Sequence, residues 1–204
     1  MLAPAAIAAR ITAGLRVSTE IGTPLSSHAE RTACNGAMTR TLLVVRHAKS
    51  DWAAGAPDHE RPINNRGRRE APELGRVLAG AGLRPDLVVC SDATRAQQTW
   101  QLASTAWADP PPVQVEPRLY DASRSEVLAV INETPDEVSV LACVGHEPTS
   151  SALAGLLTGS ADPEAAKTLA AGLKTACAAV LTFDGRWSDL EPEVARLVRV
   201  VSPR

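Results

Sequence analysis

The sequence predicts an α/β protein, a three-layer α/β/α sandwich around a mostly parallel central sheet. Three apolar runs, each of a length that suits one buried strand, occur at about residues 41–45, 86–90 and 138–144. Each run is followed by a segment with features of a helix, and this alternation is typical of a sheet covered on both faces. A chain of 204 residues that is 45% hydrophobic can bury one core of this kind.

The first run ends at Arg46-His47, and a polar loop follows it to about residue 61. Asn64 is a good N-cap for the next helix, which we expect to end near residue 80. Pro72 lies too far inside this helix to belong to its first turn, so we expect a distortion there.

The second run ends in Ser91-Asp92, and a helix over about 93–106 should follow at once, with Arg95 in its first turn. The third run ends in Gly145-His146-Glu147-Pro148, where the proline suits the first turn of another helix. The remaining elements are predicted as a strand at 113–115, helices at 125–132 and 150–157, and strands at 178–183 and 195–201 at the edge of the sheet.

Composition excludes several classes of function. A net charge of −2 argues against bulk binding to nucleic acid or to an anionic membrane. The chain has no apolar stretch long enough to cross a bilayer, and we expect a cytoplasmic protein. The cysteines are scattered without a CxxC pair, which favours free thiols in a reducing compartment over disulfides or a zinc site: Cys34, Cys90, Cys143 and Cys177.

Residues 1–38 differ in composition from the rest and are predicted to be a disordered N-terminal extension before a catalytic domain at 39–204. The segment is rich in Ala, Ser and Thr, and Arg10 and Arg16 interrupt any signal-peptide core. A processed targeting peptide is one alternative. An over-extended reading frame is another, because Met38 lies three residues before the first apolar run.

Three strands each carry a cation or an imidazole to the same edge of the predicted sheet. These residues are Arg46 with His47, Arg95, and His146. Open α/β sheets bind ligands at this edge, beyond the carboxyl ends of their strands. A phosphoryl group in transfer spreads negative charge over three oxygens, and positioned cations stabilise it. A histidine inside such a cage can attack phosphorus and form a phosphohistidine intermediate.

The combination Arg46-His47, Ser91 to Thr99 and Gly145-His146 resembles the signature of the histidine phosphatase superfamily. The form RHAKSDW, followed by RPIN and RG, is most similar to the SixA-type phosphohistidine phosphatase branch. The resemblance implies a phosphoglycerate mutase-like fold, with His47 as the phosphorylated nucleophile. It further implies that Arg46, Arg95 and His146 hold the phosphoryl group and that neither a metal nor another cofactor is needed.

Further site residues are weaker candidates. Arg61 belongs to the resembling motif and Lys49 lies near the strand end, so both are predicted to assist substrate binding. Relatives that act on phosphate esters use a carboxylic acid to protonate the leaving group, and Glu116 and Asp121 are the candidates here. The mouth of the site is predicted to include Asp51, Trp52, Asp58 and His59.

The predicted function is hydrolysis of a phosphoryl group through a phosphohistidine intermediate on His47. The stretch between Arg95 and His146 is occupied by predicted helices and strands, which leaves no room for a large cap insertion. An open cleft admits a side chain on a folded partner, and this favours a phosphorylated protein carrying phosphohistidine. The alternatives are a phosphatase for a small phosphate ester of a sugar or nucleotide, and a non-catalytic phosphate-binding protein.

Overall fold

The structure is a computed structural model that describes residues 38–52 and 55–203. The predicted N-terminal extension therefore lies outside the described residues, apart from Met38. None of the described helices is long and apolar enough to cross a membrane.

The described strands are β1 (Thr39–Arg46), β2 (Leu87–Cys90), β3 (Val113–Val115), β4 (Val140–Gly145), β5 (Thr158–Ala161), β6 (Ala178–Asp184) and β7 (Ala195–Val201). They form one seven-stranded sheet in the order β3-β2-β4-β1-β6-β7-β5. Four of its pairings are parallel, and the pairings β1 with β6 and β6 with β7 are antiparallel.

Among the described residues, five α-helices cover the two faces of this sheet. They are α1 (Asn65–Gly80), α2 (Thr94–Ala103), α3 (Arg124–Asn132), α4 (Thr149–Leu157) and α5 (Pro163–Ala170). Alternate residues of β1 point to opposite faces: Leu43 joins the core under α1 and α2, whereas Leu42 joins the core under α3, α4 and α5. The predicted three-layer α/β/α sandwich with a mostly parallel sheet is confirmed.

The first helix begins as the sequence predicts. The Asn64 side chain accepts a hydrogen bond from the amide of Gly67, and the helix ends at Gly80. It continues through Pro72, so the distortion expected there does not interrupt it. The predicted helix over 93–106 is an α-helix to Ala103 that tightens into a 3-10 turn.

The prediction that the last two strands lie at the edge of the sheet is wrong. Strand β6 pairs with β1 along its length, and β7 lies between β6 and β5. The edge strand β5 is only four residues long and lacks an apolar run, so hydrophobic periodicity did not reveal it. Helix α5 was also missed, although Asp162 as N-cap and Pro163 in the first turn are recognisable start signals.

The packing of α1 on α2 depends on a close approach at Gly75. A Cβ at this position would overlap the backbone carbonyl of Ala103 at the end of α2. Gly80 lies on the same helix, and nothing lies within 4 Å of a Cβ built there.

We expect Gly75→Ala to lower the free energy of unfolding by about 1–3 kcal/mol, because two helices must move apart to accept one methyl group. Urea denaturation measures this loss. The control Gly80→Ala should leave stability unchanged or raise it slightly, since alanine favours helix. Equal stability of the two variants would contradict the close approach.

Candidate active site

The carboxyl ends of β1, β4 and β2 lie side by side because these strands are neighbours in the sheet and run parallel. Their ends carry Arg46-His47, His146 and the turn into α2, respectively. These residues share a cleft of about 350 Å³. Its lining residues are Arg46, His47, Lys49, Ser50, Trp52, Asp58, Arg61, Arg95, Leu119, Tyr120, Asp121, Ala122, His146, Glu147, Pro148, Thr149 and Thr175.

Backbone hydrogen bonds hold His47 on both sides. Its amide donates to the carbonyl of Gly145 (3.0 Å), and its carbonyl accepts from the amide of Ala176 (3.2 Å). The ring nitrogen Nδ1 lies 2.7 Å from the carbonyl oxygen of Ala48. A carbonyl can only accept, so Nδ1 carries the proton and Nε2 presents a lone pair.

Burial lowers the pKa of His47 to about 4. The positive charges of Arg95, Arg46 and Arg61 act in the same direction, and the hydrogen bond to Ala48 opposes them only in part. The imidazole is therefore neutral at pH 7, which is the form that can attack an electrophile.

Residue 48 connects the end of β1 to α2. The buried amide of Ala48 donates to the hydroxyl of Thr99 (2.8 Å), and this hydroxyl donates to the carbonyl of Arg95 (2.6 Å). The position of His47 is thereby coupled to the first turn of α2.

Two arginines of the cleft are held by one carboxylate, that of Asp58. Its Oδ1 accepts from Nε and Nη2 of Arg61 (3.0 and 2.7 Å). Its Oδ2 accepts from Nη2 of Arg95 (3.1 Å) and from the hydroxyl of Tyr120 (2.8 Å). The backbone carbonyl of Asp58 also accepts from Nη1 of Arg95 (2.6 Å).

The Asp58 side chain is 49% exposed, so it is only partly buried, and its hydrogen-bond partners stabilise the negative charge of the carboxylate. The hydrogen bond from Tyr120, followed by those from Arg61, lowers the pKa of Asp58 to about 2. This carboxylate is ionised at neutral pH, and in this arrangement it cannot donate a proton to a leaving group.

The second histidine lies beside the first. The rings of His47 and His146 have centroids 5.1 Å apart, and Nε2 of His146 lies 2.9 Å from the hydroxyl of Ser91. Burial, together with the neighbouring His47 and Arg95, lowers the pKa of His146 to about 3. The ring edge of Tyr120 packs against His146 with centroids 5.7 Å apart.

Three polar nitrogens of this cluster are buried and have no hydrogen-bond partner among the described residues. They are Nε of Arg46, Nε of Arg95 and Nδ1 of His146. Unsatisfied buried donors are uncommon in proteins. Guanidinium groups bind oxyanions such as a phosphoryl group well, so the arginines that line the cleft, Arg46, Arg61 and Arg95, suit this ligand.

The weaker candidates fall into two groups. Lys49, Arg61 and Asp121 line the cleft, and Arg61 is also bonded to Ser50 (3.1 Å). Glu116 does not line it: both of its oxygens accept from Arg118, which lowers the pKa of this carboxyl. The role of Glu116 or Asp121 as a general acid remains a prediction.

Among the described residues, no group of three or more His, Cys, Asp or Glu side chains could hold a metal ion. The described cysteines Cys90, Cys143 and Cys177 are free and buried, and Cys34 lies outside the described residues.

Sequence comparison identifies the family. Residues 42–127 match the profile of the histidine phosphatase superfamily (branch 1). An uncharacterised protein of Mycobacterium tuberculosis is 44% identical over 162 residues, which cover 78% of this chain and all of the relative. The chain belongs to the histidine phosphatase superfamily.

Comparison with solved structures refines this assignment. A candidate SixA phosphohistidine phosphatase from Nakamurella multipartitia is 34% identical, with a TM-score of 0.70 over 81% of this chain and 96% of that one. A second candidate SixA protein, from Agrobacterium tumefaciens, is 29% identical, with a TM-score of 0.65 over 80% and 99% of the two chains. The predicted resemblance to the SixA-type branch is confirmed.

The sequence analysis assigned no role in this site to three residues that contribute to it. Tyr120, the chain's one tyrosine, bonds Asp58 and packs on His146. Ser91 bonds His146, and Glu147 lines the cleft beside it. The pattern around each strand end offered a signal for Ser91 and Glu147, but the position of Tyr120 follows only from how its loop folds back.

The lowered pKa of His146 predicts an acid-sensitive fold. In the unfolded chain this histidine takes up a proton near pH 6.5, whereas in the folded chain it does so only near pH 3. The unfolded state therefore binds more protons as the pH falls from 6.5, and stability declines over this range.

We expect His146→Gln to abolish about 1–3 kcal/mol of the loss between pH 7 and 4.5, measured by urea denaturation at each pH. If the free energy of unfolding falls with pH equally in the variant and in the wild type, the neutral imidazole of His146 is contradicted.

The hydrogen bonds of Asp58 indicate that the negative charge of this carboxylate orients Arg61 and Arg95. We expect Asp58→Asn to lower kcat/KM for any phosphoryl substrate by about tenfold or more, because one amide oxygen cannot hold both guanidinium groups. Steady-state phosphate release measures the effect. The control Glu60→Gln removes the same charge from an exposed position in the same turn and should leave kcat/KM unchanged. An equal loss in both variants would mean that overall charge, and not orientation, matters.

Proposed function

We propose that this protein is a phosphatase that acts through a phosphohistidine intermediate on His47, and that its substrate is a protein phosphohistidine. The observation that carries the first part is the state of His47. Its Nδ1 is bound to a carbonyl, its pKa is lowered to about 4, and positive charges of Arg46, Arg95 and Arg61 surround it. Nε2 therefore carries a lone pair, and the arginines that line the cleft together with His47 suit a phosphoryl group.

The reaction has two displacements. Nε2 of His47 attacks phosphorus, the N–P bond forms, and the bond from phosphorus to the leaving group breaks. Arg46, Arg95 and His146 stabilise the charge on the phosphoryl oxygens. Water then attacks the phosphohistidine, which releases phosphate and regenerates the neutral imidazole.

Two features support a phosphoramidate as the substrate. The cleft reaches the surface through exposed residues such as Lys49, Trp52 and Asp121, and the described residues between α2 and β4 contain only short elements and α3. In addition, the carboxylate nearest the arginines, Asp58, is ionised at neutral pH and is not a proton donor. The imidazole of phosphohistidine leaves readily once protonated, so it depends less on a carboxylic acid than an alkoxide does.

A small-molecule phosphomonoesterase is the second candidate. The observation that favours it is Asp121, an exposed carboxyl group in the lining of the same cleft that could protonate an ester oxygen. Selective loss of ester turnover in Asp121→Asn would favour this function.

We expect His47→Ala to reduce phosphate release to the uncatalysed rate, because alanine has no nitrogen that can form the phosphoryl intermediate. The assay compares a phosphohistidine-bearing protein with a panel of phosphomonoesters, without added metal. Rapid quenching of the wild type should trap an acid-labile, base-stable phosphoryl group that is missing in the variant. Calorimetric binding of inorganic phosphate should persist in the variant, since Arg46 and Arg95 remain.

The outcomes separate the candidates. Preferred turnover of the phosphoramidate supports the protein phosphatase, and fast hydrolysis of one ester supports the second function. Phosphate binding without turnover of any substrate would mean a phosphate-binding protein on this fold. Wild-type activity in His47→Ala would exclude the proposed intermediate.

A further inference from the structure

Besides His47 and His146, the described lining of the cleft includes two aromatic side chains, Tyr120 and Trp52, and these two differ in their contacts. The Tyr120 hydroxyl is bonded to Asp58, and its ring contacts His59 and His146, so this side chain is fully occupied. Trp52 is different. It is 73% exposed, although it is one of the largest apolar side chains in a protein with only 3% aromatic residues.

One face of the Trp52 ring is covered by a cation. The guanidinium carbon of Arg61 lies 3.5 Å from the ring centroid, which is a close cation–π contact. Arg61 is itself fixed by Asp58 and Ser50 and is only 7% exposed, so it holds the indole at a defined place on the cleft wall. The exposure of Trp52 shows that the other face of the ring is open.

The large, rigid and exposed indole of Trp52 offers apolar surface at the rim of a polar cleft, and burial of that surface by a ligand is favourable. Aromatic side chains of this kind recur where a flat ligand stacks, because they offer a large contact area with little loss of conformational entropy. The cleft volume of about 350 Å³ is large enough for a phosphoryl group together with one small ring.

We propose that Trp52, backed by Arg61, is a ring-binding wall that selects phosphoryl donors with a flat aromatic or heteroaromatic leaving group. This inference rests on the proposed function and narrows its substrate class. The phosphoryl group would lie between His47 and the arginines while the leaving ring stacks on the open face of the indole. An imidazole carried on a protein side chain is a ring of suitable size, whereas an alkyl leaving group has no π surface to stack.

A structural alternative predicts different behaviour. If Trp52 only shields the ion pair of Arg61 with Asp58 from water, its removal should weaken all phosphoryl ligands to the same extent. The discriminating quantity is therefore the ratio between ring-bearing and ring-free ligands of the same headgroup.

The first measurement uses binding without chemistry. Phenylphosphonate and methylphosphonate carry the same PO₃ group and neither is hydrolysed, so calorimetric Kd values report the contribution of the ring alone. Wild type should bind phenylphosphonate more tightly, and Trp52→Leu should reduce this preference by about three- to tenfold, in line with the worth of an aromatic pair. Trp52→Phe retains a ring and should keep most of the preference.

The second measurement uses turnover with matched P–N bonds. In Trp52→Leu, the KM for phosphohistidine should rise by about three- to tenfold. The KM for phospholysine and the kcat for both substrates should change little. Trp107→Leu is the control, because Trp107 stacks on Trp100 and does not line the cleft. Its thermal unfolding, compared with that of Trp52→Leu, separates a local effect from a general loss of stability.

The outcomes distinguish this inference from the function on which it rests. If the ratio of the Kd values for methylphosphonate and phenylphosphonate is unchanged in Trp52→Leu, the ring-binding wall is overturned, even if the enzyme is an active phosphatase. Equal weakening of both phosphonates is one form of this outcome. Absence of His47-dependent turnover in the wild type overturns the proposed function, and the substrate selection proposed for Trp52 fails with it. Loss of the ring preference in Trp52→Leu, with retention in Trp52→Phe, supports the inference.

Discussion

The parallel pairing of β1 with β4 is the constraint on which the rest of the site depends. Its register places Arg46 opposite Gly145, and the amide of His47 donates to the carbonyl of Gly145. Two strand ends that are about a hundred residues apart in the sequence thus bring His47 and His146 within 5.1 Å, measured between ring centroids. Backbone hydrogen bonds fix this spacing, so the side chains need little reorganisation to act together.

The electrostatics of the cleft follow from this crowding. Two half-buried imidazoles lie beside guanidinium groups, and both remain neutral, since partial burial and like charge lower their pKa in the same direction. Asp58 supplies the balancing negative charge at the mouth and orients two arginines at once. For the proposed reaction, a neutral imidazole among oriented cations is a favourable arrangement for a dianionic substrate, because the cations attract the substrate and the imidazole nitrogen stays unprotonated.

The proposed substrate, one with a good leaving group, fits the same arrangement. The side proposed to bind the phosphoryl group carries many polar contacts, whereas the side proposed for the leaving group is open, with exposed residues such as Lys49 and Asp121. Trp52 is the exception on this open side, since Arg61 fixes one face of its ring and leaves the other accessible. In the proposed function, phosphoryl binding and recognition of the leaving group would therefore be linked through Arg61, which contacts both Asp58 and Trp52.

Local sequence determined the buried strands, the N-cap at Asn64 and the placement of Arg46, His47, Arg95 and His146 at strand ends, because apolar runs and capping residues act over a few positions. It also indicated the family through motifs at those ends. Only the tertiary structure decided that β6 and β7 lie inside the sheet and that Asp58, Tyr120 and Arg95 meet. These features depend on contacts between segments far apart in the chain, whose pairing no local pattern encodes.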